Sequence, residues 1–354
     1  MVLIKNTISF IVQLFVLPFL KDLTNSHENV LLVNLSLPLG DFVSRINFIN
    51  GITLKNTETR LYLVCDVRFK PLSRFFNENI QVIFFDTVSY KCNPLIRIRV
   101  LNELRKLNLN SAFNISVDRG MISDEVTTLC GAYQKIGILK KNIYLSKTFE
   151  KINNVRYTNF FAPSSFNEYE IMDQISGNNF YGLGFALNSN VGNEKKVYNS
   201  KYVVIAPFAS RKNKSWPLHK YLLLADKLAS RINVKLIGMP FLEETFNNRD
   251  ITNLTGKSDI GYLFDLIKEA SLFIGNDSGL THVAMLFNTP SIVLLGGGAF
   301  EQFFPNNYST NMEFIYKKMK CYNCNWNCRF ATNICLTEID VNSVSEIAEK
   351  ILDT

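Results

Sequence analysis

Three short segments combine residue types that bind or activate anions. Gly275-Asn-Asp-Ser-Gly-Leu-Thr-His-Val-Ala284 sets two glycines, a carboxylate, two hydroxyls and an imidazole where an apolar run meets a helical pattern. Backbone N–H groups at a helix start are unpaired and the dipole is positive there, so this junction suits a diphosphate. Ser278 and Thr281 can donate to phosphate oxygens, and His282 lies in the first turn. Asp277 cannot favour phosphate by charge and suits a sugar hydroxyl or the loop geometry. The alternative is that Asp277 and Ser278 only cap the helix and His282 packs locally.

The second segment, Ala209-Ser-Arg-Lys-Asn-Lys-Ser-Trp-Pro217, clusters Arg211, Lys212 and Lys214 between a strand and a helix that Pro217 suits at its first position. Such a loop neutralises phosphate, or is a solvated basic turn in which Trp216 and Pro217 anchor the helix. In the third, Leu39-Gly40-Asp41-Phe42-Val43, a carboxylate at a helix start facing an inter-domain crevice suits a general base, with an N-cap aspartate as the plainer reading. Four cysteines, Cys321-x2-Cys324-x3-Cys328-x6-Cys335, have the ligand count of a tetrahedral metal site but lack the long arm between pairs of a zinc ribbon. Packed free thiols or a redox-labile pair are the other readings.

Strands and helices must alternate to position these loops. Strands are expected at Val30–Leu35, Leu61–Cys65, Gln81–Phe85 and Ala112–Ile115, with helices from Phe42, over Ile96–Leu107 and over Asp124–Ile136. The polar stretch 186–200 reads as a linker. Beyond it come strands at Tyr202–Pro207, Val234–Ile237, Ser271–Ile274 and Ser291–Leu295, the last ending in Gly296-Gly297-Gly298. Helices are expected over Pro217–Ser230, with Tyr221, Leu224, Ala225 and Leu228 on one face, over Ile260–Ala270, over Leu280–Leu286 and over Glu338–Leu352. This alternation argues an α/β chain with parallel sheets, whose ligands bind at the carboxyl ends of strands.

The chain has 354 residues, which predicts two domains, and is 47% hydrophobic and 19% charged, which excludes disorder. Its formal charge of +7 favours an anionic partner, while the spread of Lys and Arg argues against nucleic acid. Seven cysteines, three standing alone, do not form a secreted disulfide framework. Residues 8–20 have the charged and apolar regions of a signal peptide, but Lys21 and Asp22 stand where a small-residue cleavage site belongs. They read instead as a buried or membrane-surface amphipathic helix.

Taken in order, the Leu39-Gly-Asp41 triplet, Lys214-x-Trp-Pro217, and Gly275–His282 followed by Thr289-Pro-Ser-Ile-Val-Leu-Leu-Gly-Gly297 resemble glycosyltransferase family 9, the ADP-heptose heptosyltransferases of lipopolysaccharide assembly. The resemblance covers roughly residues 30–350. It implies a GT-B fold, two Rossmann-like domains facing a cleft: an acceptor-side domain over 1–190, a nucleotide-sugar-binding domain over 196–335, and a closing helix, 338–354, packing back on the first. It implies inverting transfer from ADP-heptose, without a catalytic metal or other cofactor, to a lipopolysaccharide core or other glycan. The expected location is cytoplasmic, peripheral at the inner membrane. Asp41 matches the family's base and Lys214 the lysine that meets the donor diphosphate. Ser210 matches a neighbouring hydroxyl, Asp277, Ser278, Gly279 and His282 the donor loop, and Glu244, or Glu243 by a shift of one, a ribose carboxylate. The segment after Asp41, Phe-Val-Ser-Arg-Ile-Asn-Phe-Ile49, departs from the family's small and Thr-Pro residues, so acceptor contacts are open, with Arg45 a local specialisation. The alternatives are another nucleotide sugar on an O-antigen, capsule or protein acceptor, a non-catalytic paralogue, or a basic nucleic-acid module built on the four clustered cysteines.

Overall fold

The computed structural model describes residues 16–20, 29–35, 38–54, 59–139, 154–177, 185–187, 202–243, 246, 248–308 and 310–353. The chain divides into two compact units. The first holds β1 (Asn29–Asn34), β2 (Ile52–Leu54), β3 (Leu61–Asp66), β4 (Ile80–Phe85), β5 (Leu109–Asn114), β6 (Gln134–Ile138), β7 (Asn159–Phe161) and β8 (Phe185–Leu187). The second holds β9 (Tyr202–Ala206), β10 (Asn233–Leu236), β11 (Ile251–Asn253), β12 (Leu272–Asn276), β13 (Ser291–Leu295) and β14 (Met312–Tyr316). Segments 38–44 and 166–169 are counted with the second unit.

Each unit is built on a six-stranded sheet, ordered β4-β3-β1-β5-β6-β7 in the first and β11-β10-β9-β12-β13-β14 in the second. Every pairing in both is parallel. Counted within its own sheet, each order is 3-2-1-4-5-6, the doubly wound Rossmann arrangement, which reverses direction between the first and fourth strands. The central strands of the second sheet, β9, β12 and β13, are wholly buried, as their apolar runs require when both faces are covered. β2 and β8 form a separate antiparallel pair.

The helix Leu218–Leu228 buries Tyr221, Leu224, Ala225 and Leu228, the stripe its periodicity predicts. They meet Val203, Ile274 and Leu294 of the sheet in one core. The last helix, Val341–Leu352, begins at Asp340, whose side chain accepts from the N–H groups of Asn342 (2.9 Å) and Ser343 (3.1 Å). Its Val344 and Ala348 enter that same core, and the helix is counted with the second unit. Its start lies at Val341 because Glu338 already caps the short helix Ile334–Thr337.

Other boundaries also move. The helix expected over 124–136 is Met121–Leu129, ended by Gly131 at φ 92° before β6 begins. The pattern from Phe42 is two short helices, Leu39–Val43 and Ile46–Asn50. Residues 186 and 187 of the expected linker belong to β8, and the remainder lies outside the described residues. Of the apolar stretch 8–20, only 16–20 is described: Val16 is buried beside Leu101 and Leu129, and Leu17–Phe19 is a short 3-10 turn. Among the described residues no helix is long and apolar enough to cross a membrane.

Neighbouring residues of one helix test this packing. Leu224 is fully buried, whereas Leu223 is 54% exposed. Leu224→Ala is expected to destabilise the second unit by about 2–5 kcal/mol, and Leu223→Ala by no more than about 0.5 kcal/mol, read as midpoints of urea unfolding.

Candidate functional site

The second sheet reverses direction between β9 and β12, which pair in register from Leu272 with Val203 to Gly275 with Ala206. Their carboxyl ends therefore emerge side by side, and the two segments richest in phosphate-binding chemistry follow them directly. Asn276, fully buried at the end of β12, joins these segments. Its Oδ1 accepts from the Trp216 N–H (2.8 Å) and its Nδ2 donates to the Pro207 carbonyl (3.1 Å). Trp216 is buried, donates from Nε1 to the Ile339 carbonyl (3.1 Å) and meets Tyr221 edge-on, so it anchors the loop. Pro217 is the N-cap of the following helix, one position before the one its chemistry suggested.

The anchored loop carries a short 3-10 turn, Lys212–Lys214. Lys214 Nζ stands 4.0 Å from Asp277 Oδ2, with the two side chains 22% and 14% exposed. The same ammonium lies 5.3 Å from the centroid of the Trp326 ring. Burial pushes the Asp277 carboxyl above its usual range; the Lys214 charge opposes this and the Glu168 charge adds to it.

Ser278 is the N-cap of the helix Gly279–Leu286, yet its side chain makes no capping bond and its Oγ is buried without a hydrogen-bond partner. The capping reading therefore does not hold for this hydroxyl, which is held at the positive end of a helix with its bonding capacity unused. Thr281 differs from expectation: its hydroxyl donates to the Asn276 carbonyl and is not free for phosphate. His282 is 3% exposed, with Nδ1 2.7 Å from the Tyr169 hydroxyl.

The helix Leu39–Val43 packs on the start of the Gly279–Leu286 helix, and both are counted with the second unit. Two glycines permit the approach. A Cβ on Gly279 would lie 2.9 Å from the Leu39 Cβ, and a Cβ on Gly40 would lie 2.8 Å from His282 Cδ2. Asp41 is half-buried in the first turn of its helix; the N-cap is Pro38, so Asp41 is not the cap. Arg45 is buried in the first unit and donates from Nε to the Ile115 carbonyl (3.3 Å), a bonded position unlike a solvent-facing acceptor contact.

Ser210 and Glu243 are exposed on loops, and Glu244 lies outside the described residues. The four clustered cysteines are free thiols lining one pocket with Tyr322 and Trp326. Burial pushes the Cys335 thiol up, and its sulfur accepts from the Gly297 N–H (3.5 Å). Among the described residues no group of three or more His, Cys, Asp or Glu is gathered as a metal site. The cysteine loop is stitched to the basic loop: Asn213 Nδ2 donates to the Trp326 carbonyl (3.0 Å), and Asn333 Nδ2 to the Asn213 carbonyl. Side chains on Gly297 or Gly298 would collide with the Tyr322 or Trp326 ring, which accounts for the glycine run. Sequence reasoning missed Asn276, Trp326, Glu168 and Tyr169. Only Asn276 had a signal, a buried-strand asparagine beside the donor loop.

A family model described as Glycosyltransferase family 9 (heptosyltransferase) matches residues 134–331. Lipopolysaccharide heptosyltransferase 3 of Escherichia coli is 36% identical over 121 residues, which span 31% of this chain and 35% of that protein. Lipopolysaccharide heptosyltransferase 1 of Campylobacter coli is 23% identical over 242 residues, 62% of this chain and 69% of that protein. The solved E. coli heptosyltransferase WaaC with ADP-2-deoxy-2-fluoro heptose has a TM-score of 0.64 at 16% identity, covering 91% of this chain and 99% of that one. That likeness concerns the fold, two Rossmann-like domains of GT-B type.

The Asp277 carboxyl supplies a pH test. A carboxyl whose pKa is raised by folding is harder to ionise in the fold than in the unfolded chain. The penalty is absent below the unfolded value of about 3.9 and complete above the folded one. Asp277→Asn is therefore expected to melt higher than the parent at neutral pH, with the difference closing as pH falls toward about 4. A constant difference across that range would contradict the raised pKa.

Proposed function

The chain belongs to glycosyltransferase family 9, and from that premise we propose that it transfers a heptose or similar sugar from an ADP-sugar to a lipopolysaccharide-type acceptor, with inversion. The observation that carries the donor side is the unpaired, buried Ser278 hydroxyl at a helix N-terminus, in the loop where Lys214 stands 4.0 Å from Asp277. Cation, helix dipole and free hydroxyl together suit a diphosphate. The heptosyltransferase names of the curated relatives, and the ADP-heptose analogue in the solved one, support the choice of sugar and acceptor.

In this mechanism Asp41 takes the proton from an acceptor hydroxyl as its oxygen attacks the anomeric carbon from the side opposite ADP. One carbon–oxygen bond forms while the bond to the diphosphate breaks, which inverts the anomeric centre. Lys214, Ser278 and the N–H groups at the start of the Gly279–Leu286 helix stabilise the charge that develops on departing ADP. Such preorganised donors cost no reorganisation at the moment of reaction. Asp277, held beside Lys214, is the carboxylate for a sugar hydroxyl. The site needs no metal for these steps, and the enzyme acts on its lipid-linked acceptor at the cytoplasmic membrane surface.

Thermal-shift titration tests the donor. ADP is expected to raise the melting temperature more than UDP or GDP at equal concentration, since a ligand stabilises only the state it binds. Lys214→Ala weakens ADP binding by about 1–3 kcal/mol through loss of a charge-assisted contact. Equal shifts for the three nucleotides would remove the adenine assignment.

Asp41→Asn tests the base. Asp41 is not the cap, so the change removes no capping bond, and loss of its charge near the helix N-terminus contributes about 0.3–1 kcal/mol. Transfer from ADP-heptose to a truncated lipopolysaccharide core, read by mass, is expected to fall by ~10²-fold or more, with ADP affinity unchanged. A fully active variant would place the base elsewhere.

A further inference from the structure

The His282 imidazole is held on every side that the structure describes. Its Nδ1 lies 2.7 Å from the Tyr169 hydroxyl. Phe303 meets the ring edge-on with centroids 4.7 Å apart, and Phe304 lies against it at 4.8 Å. The opposite edge lies beneath the Gly40–Asp41 turn, where a Cβ on Gly40 would come within 2.8 Å of Cδ2 and 3.0 Å of Nε2. Half a turn about the ring axis would exchange the two edges and break the Tyr169 bond.

Tyr169 is itself fixed. It ends segment 166–169, which is fastened to the loop that supplies the two phenylalanines. Asn167 Nδ2 donates to the Glu301 carbonyl (2.9 Å), and the Glu168 N–H donates to the Gln302 carbonyl (2.8 Å). Gln302 Nε2 donates to Glu168 Oε1 (2.9 Å), and Asn167 Oδ1 accepts from the Tyr169 N–H (3.0 Å). The tyrosine hydroxyl and both aromatic walls of the imidazole thus arrive on one cross-bonded support.

We propose that Tyr169 is a positioning residue for the transfer reaction: its hydroxyl donates to His282 Nδ1, holds the imidazole as the Nε2–H tautomer, and so sets the position of the Gly40–Asp41 turn. A neutral imidazole carries one donor and one acceptor nitrogen, and the bond at one decides the other. With Nδ1 accepting from Tyr169, the edge beneath the turn presents an N–H. A lone pair at that edge would repel the negative charge the turn carries on Asp41, and the turn would move. Displacement of a reacting group by an ångström costs about 10²-fold in rate, so a smaller shift costs about tenfold. This inference rests on the reading of Asp41 as the base.

The chain has three histidines, His27, His219 and His282, so long-range 1H–15N spectra resolve each ring, with His282 assigned by its loss in His282→Gln. Near neutral pH the parent protein is expected to show His282 protonated at Nε2 and bare at Nδ1, and Tyr169→Phe to show averaged tautomers. The same variant is expected to lose about tenfold in kcat with ADP-heptose and truncated lipopolysaccharide core, with ADP affinity changed less than twofold. A parent His282 protonated at Nδ1, or a Tyr169→Phe enzyme with full kcat, overturns the proposal. If Asp41→Asn is inactive while Tyr169→Phe is fully active, only the positioning role falls. If Asp41→Asn is fully active, the base reading falls and with it the reason for the role, whichever tautomer the spectrum gives.

Discussion

The Asn276 side chain makes two hydrogen bonds from the end of β12, and the paired loops keep their shape because of them. One goes to the Trp216 N–H and one to the Pro207 carbonyl, so a single amide ties the loop after β9 to the loop after β12. Both bonds are buried, and removing the amide would leave a donor and an acceptor without partners, at a cost of about 1–3 kcal/mol each. A doubly wound sheet brings two loops together at the point where its strand order reverses. It does not by itself fix their spacing. Asn276 does, and Trp216, wedged under the basic loop, carries that constraint toward Lys214.

Packing and function pull against one another along the next few residues. Ser278 sits where a capping bond would stabilise the helix, and makes none. Asp277 is buried enough to resist ionisation. The Thr281 hydroxyl, by contrast, donates to the backbone that precedes it. A fold selected only for stability would pair the serine and replace the aspartate. That an unpaired hydroxyl and a carboxyl whose ionisation burial opposes fall together at the helix start, beside a lysine, is the pattern expected where a ligand completes the bonding.

Close approach is the second constraint. The Leu39–Val43 helix reaches the start of the Gly279–Leu286 helix only because Gly40 and Gly279 lack side chains where the surfaces touch. The glycine run at 296–298 serves the same purpose for Tyr322 and Trp326, rings carried by the cysteine loop. That loop is thereby tied to the basic loop: its tryptophan lies beneath the Lys214 ammonium, and its backbone accepts from Asn213. The cysteines line the pocket behind these rings.

Periodicity and turn chemistry were enough to determine the α/β class, most strands of both sheets, and the buried stripe of the Leu218–Leu228 helix. These depend on local spacing and on burial that a sheet covered on both faces imposes. The strand, turn and helix start of Gly275–His282 were legible for the same reason, since they lie in consecutive positions. Short strands such as β7, β11 and β14 were not legible, because three to five residues at a sheet margin carry too little pattern. The end of the Met121–Leu129 helix was missed because apolar spacing continues past Gly131 into β6. Tertiary structure alone decided which unit holds the closing helix, because its apolar stripe would suit either sheet. It alone decided that Thr281 is spent and Ser278 is free, since two hydroxyls three residues apart differ only in which backbone carbonyl lies within reach. And it alone brought Tyr169 to His282, 113 residues away, because a contact between distant segments depends on where two chains cross in space, which no local pattern encodes.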